Sequence, residues 1–469
     1  VRARRLVTLF GAALFGCALA AAAEPAAPPS FTLEGAVEFA LQHAPAARAA
    51  LESREAARAG VSLARTGYLP RLDLLWQSNA ATHNNTAGLL LPQSVLPPVS
   101  GPVLRTTDGQ SAWATAGGAL LSWEPFDFGA RKGAVLAATA AESRAAAEES
   151  LNRLDVAAAA AEAFLAVLAA QEKVTVGQAD VDRREVLARS VRALADSQLR
   201  PGADVSRAEA ELAGARIQLI RSREEERRAR SALATAMGVA GTDPTIVAGP
   251  LFDPAPEGNA AAAAPSDHPL AAAGQARVDE AEARAKSAGR SYAPRFSLEA
   301  SWSARRSGVE PDGTVDPGWN GLGPERDNWA LGLMVAFPLL DIAADRARHG
   351  IEAATGRAES ARLEGTVQTL TGLREEALAG LESARAVAEN TPSELAAARA
   401  GETQTRARYD AGLATIAEAA DAQRLLVQAE IDDAVARLSV WRALLELHDA
   451  QGDLGPFFAA LHDRTSGGR

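Results

Sequence analysis

Two halves of this sequence carry the same signposts in the same order. His43-Ala44-Pro45 is followed by a helix-forming stretch and then by Tyr68-Leu69-Pro70-Arg71-Leu72. Asp267-His268-Pro269 is followed by a similar stretch and then, at the same spacing, by Tyr292-Ala293-Pro294-Arg295-Phe296. Further on, Trp123-Glu124-Pro125-Phe126-Asp127-Phe128-Gly129 answers Phe337-Pro338-Leu339-Leu340-Asp341-Ile342-Ala343. A duplication of this length constrains the fold more than any single motif, because each copy must pack against its own likeness. It divides the chain into a first repeat over residues 24–237, a linker rich in Gly, Pro and Ala over 238–266, a second repeat over 267–455 and a tail over 456–469.

Each repeat reads as helix, strand, loop, strand, very long helix, tight turn and helix. In the first, a helix is expected over Thr32–Thr66, a strand over Arg71–Ala80, its return strand over Ala112–Trp123 and a long helix over Ala130–Gln198. At 1.5 Å per residue the last is about 100 Å long. Pro201 and Gly202 break it, and Asp204 is placed to N-cap the next helix, which runs to about Met237. In the second repeat the long helix covers about Ala343–Tyr409, with a kink or break expected at Pro392. Gly412 ends it, and the last helix spans about Ile416–Ala450. Val205, Ala208, Leu212, Ala215 and Leu219 follow 3-4-3-4 spacing, as do Ala422, Leu426, Ala429, Asp433, Ala436, Val440, Ala443 and Leu447. That is the seam of packed helices, with Asp433 alone out of character. The apolar content of 47% is mostly alanine and aromatics are only 5%, which suits close helix seams and argues against a thick α/β core.

A generic helix bundle would not explain the strand segments. Leu72, Leu74, Trp76, Ser78 and Ala80 share one face, against Arg71, Asp73, Gln77 and Asn79 on the other. Phe296, Leu298, Ala300 and Trp302 oppose Arg295, Ser297, Glu299 and Ser301, and the return strand sets Trp329, Leu331, Leu333 and Val335 on its apolar face. Segments of about ten residues, apolar outside and polar or small inside, mark a membrane β-barrel. Trp76, Trp113, Trp123, Trp302 and Trp329 lie in or at the ends of these strands, where an interfacial aromatic belt would need them. Arg71, Asp73, Arg295 and Glu299 then face a lumen. The alternative is a soluble sheet whose apolar face packs on helices. Four strands cannot close a barrel and a bilayer does not tolerate open edges, so closure needs several chains. Three copies would give twelve strands.

The N-terminus explains how such a chain reaches a membrane. Arg2, Arg4 and Arg5 precede an apolar run from Leu6 to about Ala20, then small residues to Ala23. This is a secretory signal over 1–23, with cleavage expected after Ala23; lipoprotein processing at Cys17 is the alternative, disfavoured by bulky Phe15. No later stretch reads as an uncharged apolar run long enough for a membrane helix, the nearest, Val156–Ala170, being interrupted by Glu162. Net charge is −11, opposite to what a nucleic-acid binder wants. With one cysteine and scattered histidines, no metal, cofactor or catalytic constellation is expected.

Taken together, these features resemble the TolC family of outer membrane efflux proteins, over about Phe31–Phe457. The duplicated plan, the Tyr-x-Pro-Arg elements at Tyr68 and Tyr292, and the elements in which Pro125 and Pro338 precede Asp127 and Asp341 by two and three residues carry the resemblance. So does the turn Ala407-Arg408-Tyr409-Asp410-Ala411-Gly412 with the following Glu418-Ala419-Ala420-Asp421-Ala422. The resemblance implies a mainly α protein with a membrane β-barrel. Three chains would close a twelve-stranded barrel in the outer membrane, with a long-helix coiled-coil barrel projecting into the periplasm. It implies a non-enzymatic export channel, working with a periplasmic adaptor protein and an inner-membrane pump. A type I protein secretion channel and a non-pore coiled-coil structural protein are the alternatives. Pro201, Gly202, Asp204 and Gly412 would mark the periplasmic turns, and Tyr409, Glu418 and Asp421 the periplasmic entrance. Some members carry an arginine two residues after the turn glycine; here that position is Ala414.

Overall fold

The structure is a computed structural model that describes residues 30–82, 90–96, 110–198, 201–253, 255, 264–290, 293–310, 312, 314–316, 318–337 and 340–466. The expected signal over 1–23 with Cys17, and the signposts Tyr292 and Pro338, lie outside the described residues.

The helix expected over Thr32–Thr66 is two helices, α1 (Leu33–His43) and α2 (Pro45–Thr66). Ala44 between them is extended, at φ −60° and ψ 129°, the conformation a following proline imposes. Pro45 then takes the first position of α2, where a missing N–H costs nothing. Ahead of α1, β1 (Ser30–Phe31) pairs in parallel with β4 (Thr245–Ile246), tying the start of the described chain to the linker. After α2 come β2 (Arg71–Thr82), β3 (Ser111–Phe126), α3 (Ala130–Asp196) and α4 (Gly202–Ala236). The second repeat gives α5 (Pro269–Ala288), β5 (Arg295–Ser307), β6 (Arg326–Ala336), α6 (Ile342–Asp410) and α7 (Ile416–Gln451). The tail residues form α8 (Gly455–Ser466).

The two hairpins join into one antiparallel sheet in the order β2-β3-β5-β6. Its inner strands β3 and β5 come from different repeats; among the described residues, its outer strands β2 and β6 each have one free edge. On the helical side α3 packs on α2, α4, α5 and α7, and α6 packs on α5 and α7. The main core gathers Val37 and Ala40 of α1, Phe164 and Leu168 of α3, and Leu444 and Trp441 of α7. Phe457 of α8 is fully buried against Trp441, ring edge to ring face at 6.0 Å, so the tail is a docked helix through this region.

Three local expectations are corrected. Asp204 is not the cap of α4: the helix begins at Gly202 with Pro201 as the capping residue, and Asp204 sits in the first turn, where its charge suits the helix dipole. Pro392 does not break α6, which is helical on both sides of it. Neighbouring Thr391 is buried and bonds Asp433 of α7 through its hydroxyl at 3.3 Å, which accounts for an acid in the helix seam. Finally, α3 is long and apolar enough, by length and composition, to cross a membrane. Half of its most apolar window is buried inside the chain, as in a core helix.

Candidate functional site

The register of the sheet sorts its side chains into two unlike surfaces. Residues paired across an antiparallel ladder project to the same face. One face runs in rows: Phe126, Phe296 and Val335; Trp123, Leu298 and Leu333; Leu72, Leu121, Ala300 and Leu331; Leu74, Ala119, Trp302 and Trp329; then Trp76, Gly117, Ala304 and Asp327. Leu72, Leu74, Trp76, Trp329, Leu331 and Leu333 are all exposed, so none of the described helices covers the face. From Phe296 to Ala304 is about 27 Å of strand, or about 21 Å of height at a 40° tilt. A membrane barrel's apolar band is about 25 Å tall. Four of the five tryptophans lie within these rows. Trp123 sits near the helical end, where its indole N–H donates to Tyr68 O. Trp302 and Trp329 are direct partners, and Trp76 lies over Gly117, where a Cβ would meet its ring at 2.7 Å. Trp113 is beyond the band, stacked on Trp319.

The opposite face carries all four candidate lumen residues. Arg71, Ser122, Glu299 and Gly332 form one row, and Asp73, Leu120, Ser301 and Ala330 the next. Arg295 lies nearer the helices, opposite Ala336. Arg71 Nε is 2.8 Å from Asp73 Oδ2, so these two largely cancel each other's charge.

Where β3 passes into α3, the Pro-x-Asp element becomes a joint. Asp127 accepts from the backbone N–H groups of Gly129 and Arg131 and from Arg131 Nε at 2.8 Å. Arg131 reaches on to Gly67 O and lies over the Tyr68 ring. Asp341, its counterpart, makes no side-chain cap to α6, in keeping with Ala343 where the first repeat has Gly129.

At the far end of the helices the turn residues separate into two hairpin tips. Between α6 and α7, Gly412 adopts φ +79°, and Leu413 N–H bonds Arg408 O at 2.8 Å. This left-handed closure favours glycine. Tyr409 is 1% exposed and packs with Ala414, Ile416 and Ala419 on Leu187, Ala188 and Val191 of α3 and Ala208 of α4. An apolar cluster therefore joins the two tips, and Ala414 belongs to it. Glu418 and Asp421 are both exposed in the first turns of α7. Glu418 closes a capping box: its carboxylate accepts from Thr415 N–H at 2.7 Å, and its own N–H donates to Thr415 Oγ1. Those bonds from Thr415 hold its carboxyl below the usual range. Asp421 pairs with Arg424 at 2.9 Å.

Sequence reasoning missed the ion pairs that bind the helices above the tips. Arg184 is buried between Asp180 at 2.9 Å and Glu211 of α4 at 2.7 Å. Arg183 reaches Glu430 of α7 at 2.7 Å. Burial pushes the Asp180 carboxyl up despite Arg184 beside it. The i,i+4 spacing of Asp180 and Arg184 was the one visible signal; the cross-helix partners had none. Among the described residues no group of His, Cys, Asp and Glu is arranged to hold a metal ion.

Against known proteins, the model of the family described as "Outer membrane efflux protein" matches residues 36–239 and 262–453. No curated protein gives a significant match. Among solved structures, CusC is similar over 90% of this chain and 92% of its own, at 15% identity and a TM-score of 0.73. The Campylobacter jejuni CmeC outer membrane channel aligns over 92% and 89%, at 13% identity and 0.71. The Neisseria gonorrhoeae MtrE outer membrane channel aligns over 90% and 89%, at 20% identity and 0.71.

Proposed function

The chain belongs to the outer membrane efflux protein family, and on that premise we propose that three copies close a twelve-stranded barrel that exports small molecules through the outer membrane. One observation carries this reading: a four-stranded sheet with an exposed apolar face and two free edges. In a bilayer an unpaired strand edge leaves backbone groups without partners, at several kcal/mol each. Edge β2 of one copy and β6 of the next are free to pair with each other. The polar face then turns inward, and Arg71, Asp73, Arg295 and Glu299 line the lumen. The tryptophan and phenylalanine rows lie toward the two lipid interfaces.

The helices extend this conduit into the periplasm. At 67 and 69 residues, α3 and α6 each span about 100 Å. The tips at Pro201 and Gly202 and at Gly412 would meet an adaptor protein, and an inner-membrane pump would supply the energy that a passive channel lacks. Tyr409, Glu418 and Asp421 would lie at the entrance between the tips. The test is extraction of the full chain from outer membranes in detergent, with mass measurement and planar-bilayer recording. A trimer that conducts is expected; a soluble, non-conducting monomer would overturn the proposal.

A further inference from the structure

The His-Pro signpost of the second repeat is a joint between two helices: α7 ends where α5 begins. Gly452 closes α7 at φ +82°, and a Cβ there would meet Pro269 Cδ at 2.5 Å and His268 Cδ2 at 2.9 Å. Pro269 opens α5 without an N–H to offer, so Leu270 carries its first unmatched donor. That N–H donates to His268 Nδ1 at 3.0 Å. A ring nitrogen that accepts carries no proton, so the proton of the neutral imidazole is on Nε2. Nε2 lies 3.0 Å from Asp449 O, one of the last carbonyls of α7, and donates to it. One buried side chain thus satisfies a donor of one helix and an acceptor of the other. The equivalent joint of the first repeat is built without this device. Gly238, at φ +78°, is seated against His43 O and Ala44, and Ala44 gives α2 no side-chain cap. His43 is exposed and stacks on Phe39 at 3.9 Å.

Histidine is not among the favoured helix caps, which are Ser, Thr, Asp and Asn. Unlike them it changes charge between about pH 5 and 8. Protonation turns Nδ1 into a donor facing another donor, and the bond from Leu270 is lost. The ring sits between helix ends of opposite sign, the N-terminus of α5 and the C-terminus of α7, whose effects on an imidazolium oppose each other. The surroundings decide the balance. A cavity of about 590 Å³ opens beside the ring, lined by leucines of α3, α5 and α6. The other titratable groups on its wall are all acids: Asp155 of α3, Glu376 of α6, and Glu446 and Asp449 of α7. Glu446 is answered by Arg442 at 3.4 Å. Burial pushes the Asp155 and Asp449 carboxyls up, and His268 nearby draws both down, so an imidazolium and these carboxylates stabilise one another. Asp267, beside the ring in sequence, accepts from Ser266 Oγ at 3.3 Å. His448, next to Asp449, is buried, and burial pushes its imidazole down.

We propose that His268 is an acid-sensitive splice between α7 and α5. Neutral, it ties the two helix ends together. Protonated, it gives up Leu270 for the carboxylates of Asp155 and Asp449, and the start of α5 frays. Glu418 and Asp421 lie at the other end of α7, so acid loosens the helix that bears them where it joins the rest of the wall.

The test is hydrogen exchange by mass spectrometry on the full-length protein in detergent, from about pH 8 to about pH 5. The quantity read is the protection factor, corrected for the intrinsic pH dependence of amide exchange. In wild type, protection over Leu270–Ala273 is expected to fall about fivefold toward the acid end, the loss of one helix cap. Flat protection overturns the splice. His268→Asn and His268→Ser supply caps that do not titrate in this range, and each should abolish the step. A step that persists in them belongs to another group and overturns the proposal. Should one of the two fail to fold, the other decides. Asp155→Asn with Asp449→Asn should move the step to lower pH, because the imidazolium loses its partners; an unmoved step overturns the role of the two carboxylates.

Discussion

At the level of single residues, the most instructive pair is Glu418 and Asp421. Their spacing at the start of a helix was legible in the sequence, and the structure puts both in solvent at a hairpin tip. What the sequence did not reveal is how far each is already engaged. Glu418 caps its own helix, and Asp421 is answered by Arg424. Charge and capping can be separated, because glutamine also completes a capping box. Glu418→Gln with Asp421→Asn should therefore leave the start of α7 intact yet reduce cation preference at the entrance, read as a shift in reversal potential. Unchanged selectivity would remove both residues from that role. Thr415→Ala removes the cap itself and should cost about 1 kcal/mol, local to the tip. The cap also has a pH signature. The Glu418 carboxyl is held below its ordinary value by Thr415, so its contribution is full above about pH 4.3 and is lost as pH falls through the lowered value. Protection factors at Ile416–Ala420, after correction for the intrinsic pH dependence of amide exchange, should fall on acidification in wild type and change little in Glu418→Gln.

Among the elements, two prolines fell on opposite sides of expectation: Pro45, inside the helix expected over Thr32–Thr66, divides it, and Pro392, where a kink or break was expected, does not interrupt α6. Pro45 divides the first helix because it holds the preceding Ala44 in an extended conformation. Pro392 stands in a helix whose neighbour Thr391 is buried and bonded to Asp433, so tertiary contact holds the local geometry that the proline would otherwise release. The long helices and the strand alternation were legible because periodicity is a local property. The ion pairs among α3, α4 and α7 were not, since partners such as Arg183 and Glu430 meet only after the chain has folded. Arg184→Ala should cost about 3 kcal/mol by leaving Asp180 buried without its cation, measured as faster exchange through α3 and α4. Phe457→Ala should cost about 3 to 5 kcal/mol, seen as loss of protection in α8 and in α7 around Trp441. If α8 proves dispensable on truncation, its role in the core is refuted.

For the molecule as a whole, the two faces of the sheet should respond oppositely to the same change. Leu331→Arg puts a cation on the apolar face, near the middle of the band, and should cost about 2 to 4 kcal/mol of barrel stability in urea titrations. Ser301→Arg, on the opposite face, should be tolerated and alter conductance instead. Equal penalties would mean that both faces meet the same solvent. The free edges of β2 and β6 carry a genetic consequence. If each ring needs three copies, every copy both donates an edge and receives one, so a chain with one damaged edge occupies a place and breaks the circle. A cell making damaged and intact chains in equal amounts would assemble only about one in eight rings wholly intact. Edge mutations should therefore behave as dominant, whereas changes confined to one copy's entrance or loop should dilute in proportion to their dose.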